Sequence, residues 1–209
     1  HILRDTARFY LHNLYSGDER ADKYLQYVAG RGLSPTTVKK FGLGASLDYN
    51  SLPDYLLEKG YARQDVLDSG VVSVNDKGRL YDAQGERLVF PIINALDEVV
   101  AFSGRKLEKV KFGKYKNTSA TMLYDKSKTL YNVNLLKKLK QEETTKELIF
   151  VEGQMDAITL YQAGFRNVVA TMGTALTKDQ ARLAKRYTDK ILISYDGDFA
   201  GQKADLRGL

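Results

Sequence analysis

The chain has 209 residues, 43% of them hydrophobic and 28% charged, which is typical of a folded globular protein rather than a disordered one. It has no cysteine and only two histidines, which excludes disulfide frameworks, thiol nucleophiles and zinc sites built from thiolates or several histidines. No apolar run is long enough to span a membrane and no signal peptide is visible, so we expect a cytoplasmic protein without zinc in this segment.

The net charge of +6 is unevenly distributed along the chain. Residues 147–209 carry as many acidic as basic side chains, so the positive excess lies in residues 1–146. The densest basic patch is residues 105–116, with six basic residues to one acidic and with Phe112 and Tyr115 between them. Basic side chains neutralise phosphates and aromatic rings stack on bases, which favours nucleic-acid binding. The alternative is a solvated hairpin whose lysines only confer solubility.

Residues 1–70 are predicted to be mainly helical. Apolar residues recur every three or four positions in 6–15 and in 21–29, and shorter helices are expected over 52–59 and 64–68. Ser34 followed by Pro35 is the typical start of a further helix, because serine caps the first turn and proline suits its first position.

The apolar period changes to two after residue 70, which predicts strands over 71–74, 79–81, 87–93 and 99–105, with a helix over 130–140. Residues 71–145 are therefore expected to be mixed α/β with an antiparallel sheet. The polar run 141–146 is taken as the boundary, so that residues 1–145 form an α+β N-terminal subdomain with a basic, DNA-binding surface.

Residues 146–209 alternate strand and helix, with strands predicted over 148–151, 167–170 and 191–195. Helices are expected over 155–163, over 178–187 behind a capping box at Thr177–Gln180, and from Gly201. Such alternation implies right-handed crossovers and a parallel sheet wrapped by helices, a Rossmann-like α/β subdomain.

Acidic residues follow two of these strands. Glu152 comes directly after the first, and Asp196 and Asp198 follow the third. Because the carboxyl ends of parallel strands meet at one edge, we expect the three carboxylates to lie close together and to hold a divalent cation or to be partly protonated. Glu152 could instead be a simple acid before a helix, and Asp156, one turn later, could either face the cluster or cap that helix.

At this order and spacing, residues 151–156 and 195–198 resemble the Toprim domain shared by bacterial primases, topoisomerases and some nucleases. Further segments resemble, in family order, the RNA polymerase core of DnaG-type bacterial primases, and the resemblance spans nearly the whole chain. These segments are Arg31-Gly-Leu-Ser34, Leu88-Val-Phe-Pro-Ile92, Ala101-Phe-Ser-Gly-Arg105, Lys114-Tyr-Lys-Asn117, Met172-Gly-Thr-Ala175 and Asp196-Gly-Asp-Phe-Ala-Gly-Gln-Lys-Ala204.

The resemblance implies a DNA-directed RNA polymerase that makes short RNA primers on single-stranded DNA from ribonucleoside triphosphates during replication, by metal-assisted nucleotidyl transfer. It implies that Glu152, Asp196 and Asp198 are catalytic acids that hold Mg²⁺ or Mn²⁺, and Asp156 is a further candidate ligand. Nucleic-acid or nucleotide contacts are implied for the following residues: Arg31, Arg105, Lys114, Lys116, Asn117 and Lys126. Lys116 stands where the family commonly has an aliphatic residue, and Arg31 could be no more than a cation at a helix end.

The resemblance also implies a bacterial, nucleoid-associated protein that binds the replicative helicase through a domain absent from this sequence. The Toprim domain (146–209) is expected to be partial, incomplete at its C-terminus, and the fragment alone to be weakly active or inactive. Two other classes of function stay open at this point: a Toprim nuclease, and a non-catalytic nucleic-acid-binding module that keeps the acids as a structural metal site.

Overall fold

The computed structural model describes residues 1–109, 113–142, 145–173 and 175–195. The chain divides into two compact units. Unit 1 comprises residues 1–92 and 99–124, and unit 2 comprises 93–98 and 125–209. The last change from unit 1 to unit 2 thus falls between residues 124 and 125. The boundary that the sequence predicts, between an N-terminal subdomain 1–145 and a Toprim domain 146–209, stays a prediction. In the described ranges, none of the helices is long and apolar enough to cross a membrane.

Helices dominate the first 70 residues, as the three- and four-residue spacing predicts. They are α1 (Ile2–Leu14), α2 (Glu19–Gly30), α3 (Pro35–Lys40), α4 (Ser51–Glu58) and α5 (Arg63–Asp68). Ser34 caps α3 as expected, since its side chain accepts a hydrogen bond from the amide of Thr37 and Pro35 occupies the first position. The capping hydroxyl satisfies an amide that the helix itself leaves unpaired.

The helical prediction for residues 1–70 omits a strand. Residues Gly44–Ser46 form β1, which is buried and pairs antiparallel with β4 (Arg87–Ile93). Next to β4 lies β5 (Val99–Arg105), and β5 pairs antiparallel with β6 (Tyr115–Asn117), giving the order β1-β4-β5-β6. β6 was also not predicted, because three residues with a central lysine show no apolar alternation.

A separate hairpin completes unit 1: β2 (Val72–Val74) pairs antiparallel with β3 (Leu80–Asp82). Helices α1, α4 and α5 share an apolar core with strands β2 to β5, and hydrophobic burial there supplies most of the favourable free energy. Its buried members are Leu3, Tyr10, Leu52, Leu56, Val66, Val71, Val72, Leu80, Val89 and Phe102.

Unit 2 has the parallel sheet that the alternating pattern predicts. Its described elements after a 3₁₀ turn (Lys126–Lys128) are α6 (Val133–Glu142), β7 (Leu148–Val151), α7 (Gln154–Gln162), β8 (Val168–Ala170), α8 (Lys178–Lys185) and β9 (Ile191–Ile193). β7 lies between β8 and β9 and is parallel to both. The expected fold class, helices with an antiparallel sheet followed by a Toprim-like parallel sheet, is confirmed. The helix predicted from Gly201 lies outside the described residues.

The segment that precedes α6 is fixed to the parallel sheet and to α8. Tyr131 and Ala170 exchange two backbone hydrogen bonds in an antiparallel bridge. Gln180, fully buried in the first turn of α8, donates its side-chain amide to the carbonyls of Lys126 and Thr129 at 3.3 and 2.9 Å. The capping box at Thr177 and Gln180 is confirmed. These bonds set the 3₁₀ turn beside the start of α8.

Candidate functional site

Glu152 is the first residue after β7, the central strand of the parallel sheet, and is half-buried. Its backbone carbonyl accepts hydrogen bonds from the amides of Met172 and Gly173, at 2.7 and 3.2 Å. The loop after β8 is therefore hydrogen-bonded to the end of β7. Glu152 precedes Gly153, the N-cap of α7, so it does not lie in the first turn of that helix.

The loop after β8 makes this contact with an unusual backbone. Met172 has φ of +62° and Gly173 has φ of +81°, both in the left-handed region. A non-glycine residue in that region is disfavoured and persists when surrounding contacts hold it. Here the two hydrogen bonds to the carbonyl of Glu152 supply such contacts.

Asp156 lies in the first turn of α7, where its Oδ2 accepts a hydrogen bond from the backbone amide of Gly153 at 3.2 Å. Of the two alternatives for this residue, the capping one is therefore observed. A carboxylate there also interacts favourably with the positive end of the helix dipole. A metal contact by Asp156 stays a prediction.

Asp196 and Asp198 lie outside the described residues. The strand that leads to them is described: Phe150 of β7 is paired with Ile193 of β9, and the amide of Ser194 donates to the carbonyl of Phe150 at 2.8 Å. Among the residues that the structure covers, no three histidine, cysteine, aspartate or glutamate side chains form a metal-binding group. The predicted three-acid cluster is therefore untested.

Lys126, predicted to contact the nucleic acid or a nucleotide, begins the 3₁₀ turn of unit 2 and is half-buried. Burial lowers the pKa of its ammonium group, because the charged form loses hydration. The structure thus puts Lys126 in the same compact unit as Glu152, on a turn that Gln180 holds in place.

Arg105 ends β5 in unit 1, directly opposite Tyr115 of β6. Its guanidinium carbon lies 4.9 Å from the ring centroid of Tyr27 on α2 and 5.2 Å from that of Tyr115, and its Nη1 donates to the Tyr115 hydroxyl at 3.2 Å. Cation–π contacts of this kind contribute about 0.5–2 kcal/mol each. Arg105 is therefore held in one orientation before any ligand binds.

The other predicted residues of the basic patch divide between the two faces of β6. Side chains alternate along a strand, so Tyr115 and Asn117 lie on the Arg105 face and Lys116 lies on the opposite one. The Oδ1 of Asn117 is buried and has no hydrogen-bond partner in the described part of the chain. Lys114 and Lys116 are exposed. The structure thus places Arg105 and Asn117 on one face of the sheet and Lys116 on the other.

Arg31 is the C-cap residue of α2 and is exposed. Its amide donates to the carbonyl of Tyr27 at 3.0 Å, which extends the helical hydrogen-bond pattern to the C-cap. This position suits the alternative of a cation at a helix end, where it complements the negative end of the dipole.

Sequence reasoning missed two residues next to this patch, Tyr27 and Gln84. Tyr27 stacks on Arg105, which is 78 positions away in the numbering. Gln84 is buried and its side-chain amide donates to the carbonyl of Lys116 at 3.0 Å. No local pattern in the sequence indicates either residue.

Comparison with known proteins agrees with this architecture. A family model for the Toprim domain matches residues 146–209, which includes the parallel sheet and Glu152. A second family model, the DNA primase catalytic core, N-terminal domain, matches residues 9–137. The chain therefore belongs to the DnaG-type DNA primase family.

The curated relatives and solved structures that resemble this chain are DNA primases or domains of them. The DNA primase of Clostridium acetobutylicum is 40% identical over 205 residues, 98% of this chain and 33% of the relative, and that of Helicobacter pylori strain J99 is 39% identical over 206 residues, 98% and 35%. The RNA polymerase domain of Mycobacterium tuberculosis primase DnaG has a TM-score of 0.88 at 29% identity, covering 99% of this chain and 68% of that one. A DnaG primase catalytic domain solved with single-stranded DNA has a TM-score of 0.85 at 32% identity, covering 98% and 63%.

The chain spans about a third of the length of the curated primases that it matches. The matches favour the primase alternative over the nuclease alternative, because the N-terminal model is specific to primase cores.

Proposed function

We propose that this chain is part of a DNA primase core, in a protein that synthesises short RNA primers on single-stranded DNA by nucleotidyl transfer. The observation that carries the proposal is the parallel register of β7 and β9. Phe150 is paired with Ile193, so the same register, continued by two residues, brings Glu152 beside Tyr195. Asp196 is the next residue in the sequence. This register supports a carboxylate cluster at the carboxyl edge of the sheet.

The proposed cluster of Glu152, Asp196 and Asp198 offers only oxygen ligands, which fits Mg²⁺ or Mn²⁺ and not a thiolate-bound metal. When bound, such cations stabilise the negative charge that develops on the triphosphate and favour ionisation of the attacking hydroxyl. Glu152 is suited to this role because two hydrogen bonds fix its backbone before any ligand arrives. Asp156 is proposed as an outer member that also caps α7.

The basic residues are proposed to bind the nucleic acid and the nucleotide. Arg105, held between two tyrosine rings, presents a pre-oriented guanidinium, and Asn117 lies on the same face of the sheet. Lys126 is partly desolvated, so a bound phosphate would stabilise the charged form of its ammonium group. Lys114 and Lys116, both exposed, and Arg31 at the end of α2 are proposed as weaker, screened contacts to the template backbone.

The natural protein is further proposed to use ribonucleoside triphosphates, to release an RNA primer, and to bind the replicative helicase through a segment outside this sequence. Its proposed location is the bacterial cytoplasm, at the nucleoid. These proposals are supported by the family to which the chain belongs.

The test is primer synthesis by the natural protein on a single-stranded template with ribonucleotides and Mg²⁺ or Mn²⁺. Glu152→Gln and Asp196→Asn are each expected to reduce the rate about a hundredfold or more, because each removes a carboxylate that would hold the cation needed for the transition state. Glu142→Gln, an exposed acid on α6 paired with Arg166, is the matched control and is expected to keep the rate.

Unchanged synthesis in Glu152→Gln would contradict the proposed role. Metal-dependent cleavage of labelled DNA without synthesis would identify a nuclease. Salt-dependent DNA binding that neither metal nor nucleotide alters, again without synthesis, would identify a binding module.

A further inference from the structure

Gln84 lies in the turn after β3 and is 2% exposed. Its Nε2 donates to the carbonyl of Lys116 on β6 at 3.0 Å and lies 3.5 Å from the carbonyl of Phe102 on β5. A buried side-chain amide that bonds strand backbone is an anchor for that strand, because breaking the bond leaves buried polar atoms unpaired.

The amide reaches β6 at a place where β5 has no side chain. Gly104 is paired with Lys116, and a Cβ built on Gly104 would lie 2.0 Å from Oε1 of Gln84 and 2.7 Å from Cδ of Arg87. Non-bonded atoms do not approach so closely, so any larger residue at 104 displaces the Gln84 side chain. Gly104 thus keeps open the space that the amide occupies.

The base of Gln84 is itself fixed by a buried carboxylate. Its backbone amide donates to Oδ1 of Asp82 at 2.7 Å. The same carboxylate accepts the hydroxyl of Tyr10 on α1 at 2.7 Å and that of Ser46 on β1 at 2.6 Å. Three segments of the chain therefore donate hydrogen bonds to Asp82: α1, β1 and the turn that contains Gln84. Because the backbone of Gln84 is held there, its side-chain amide can fix the position of β6.

β6 is a short strand at one end of its sheet. It has three residues and stands at the end of the described sheet, with β5 as its neighbour. Short edge pairings have little stability of their own. On the face opposite Gln84, Tyr115 holds Arg105 and Asn117 is proposed to contact the ligand.

We propose that Gln84 is a positioning residue for nucleic-acid binding: its amide, passing over Gly104, fixes the β6 backbone so that Tyr115 and Asn117 face the ligand. The claim rests on the proposed function for its ligand, and on the geometry of the amide for its mechanism.

The test uses the 209-residue chain and the variant Gln84→Met, which keeps the side-chain length and apolar packing but removes the donor. Two quantities are measured well below the unfolding temperature: the Kd for a fluorescent single-stranded DNA, and the amide hydrogen exchange of residues 114–118. We expect Kd to rise about threefold to tenfold, the typical effect of one lost hydrogen bond to a buried group, and exchange of the β6 amides to accelerate while that of α1 does not. Gly104→Ala places a methyl group in the space that the Gln84 amide occupies, so it is expected to give the same two changes.

A double-mutant cycle separates positioning from general destabilisation. Asn117→Ala alone should weaken binding, but it should weaken it less in the Gln84→Met background, because the misplaced strand has already lost the contact. Independent, multiplicative losses would show that Gln84 only stabilises the fold and would overturn the inference.

The other outcomes are also distinct. Unchanged Kd and unchanged β6 exchange in Gln84→Met would overturn the inference while leaving the proposed function intact if Asn117→Ala still weakens binding. No effect of Asn117→Ala would count against the proposed nucleic-acid contact, and the exchange data would then still decide whether Gln84 fixes β6.

Discussion

The backbone carbonyl of Glu152 accepts the backbone amide of Met172 across 2.7 Å, which ties the end of the central parallel strand to the loop after its neighbour. The bond exists because Met172 and Gly173 both adopt positive φ and turn their amides back toward Glu152. The proposed catalytic carboxylate is therefore positioned by a turn in the chain that depends on one glycine.

Gly173→Ala is expected to destabilise the fold by about 1–2 kcal/mol, since an alanine is disfavoured at φ of +81°. It should also slow primer synthesis by the natural protein about tenfold, because the carbonyl of Glu152 loses part of its support. Gly164→Ala is the matched control: Gly164 also has positive φ and open space for a Cβ, but it follows the C-cap of α7, at the other end of that helix from Glu152. Both variants should unfold at lower urea concentration, and only the first should lose activity. Equal activity in both would contradict the role of the turn.

Arg105→Lys is expected to weaken single-stranded DNA binding about fivefold, because an ammonium group cannot reproduce the planar stack between Tyr27 and Tyr115. The charge is retained, so the salt dependence of binding should change little. Arg63→Lys, whose guanidinium bonds the carbonyl of Gly78, serves as the control of the same chemistry. Fluorescence anisotropy measures both, and an effect of similar size in the two variants would refute the specific role of the stack.

Asp82 predicts a pH dependence of stability. Burial raises the pKa of its carboxyl to about 6, although hydrogen bonds from Ser46, Tyr10 and Gln84 oppose the rise. Because the folded state then holds the proton more tightly than the unfolded state, its contribution to stability is complete below about pH 4 and is lost as the pH rises through about 6. The loss amounts to about 2–3 kcal/mol.

The measurement is urea unfolding between pH 4 and 7 of the wild type and of Asp82→Asn, which cannot titrate. As the pH rises over this range, the unfolding free energy of the wild type should fall relative to that of Asp82→Asn. A constant difference would show that the Asp82 carboxyl does not titrate as proposed.

Gln180→Leu is expected to cost about 1–3 kcal/mol in unfolding free energy, because the carbonyls of Lys126 and Thr129 lose a buried donor and Thr177 loses half of its capping box. Arg182→Ala on the same helix removes an exposed pair with Asp179 and should change stability by less than about 0.5 kcal/mol. Urea unfolding compares them. Comparable losses in the two variants would mean that Gln180 does not anchor the 3₁₀ turn.

The sequence predicts the fold well where a run of apolar residues is bounded by polar ones. The bounds of β4, β5 and β7 agree with the predicted strands because each is a run of buried residues that ends at a polar one. β1 was missed because Gly44, Ala45 and Ser46 have low strand propensity, and pairing with β4 alone makes them a strand.

The site was predictable where one segment carries the signal, and not where distant segments create it. Glu152 follows its strand directly, so its place at the sheet edge could be predicted from local order. Contacts such as Tyr27 with Arg105, or Gln84 with the carbonyl of Lys116, join residues that the chain brings together only on folding. The separation of Lys116 from Asn117 follows from strand alternation, which becomes visible only once β6 is known to be a strand.

The central claim is that Glu152 shares a divalent cation with the acids that follow β9, and diffraction from crystals soaked with Mn²⁺ and a ribonucleoside triphosphate tests it most directly. The account predicts an anomalous peak about 2–2.5 Å from carboxylate oxygens of Glu152 and of Asp196 or Asp198, next to the triphosphate. A well-ordered Glu152 whose carboxylate is bonded to protein groups, with manganese bound elsewhere or not at all, would contradict it.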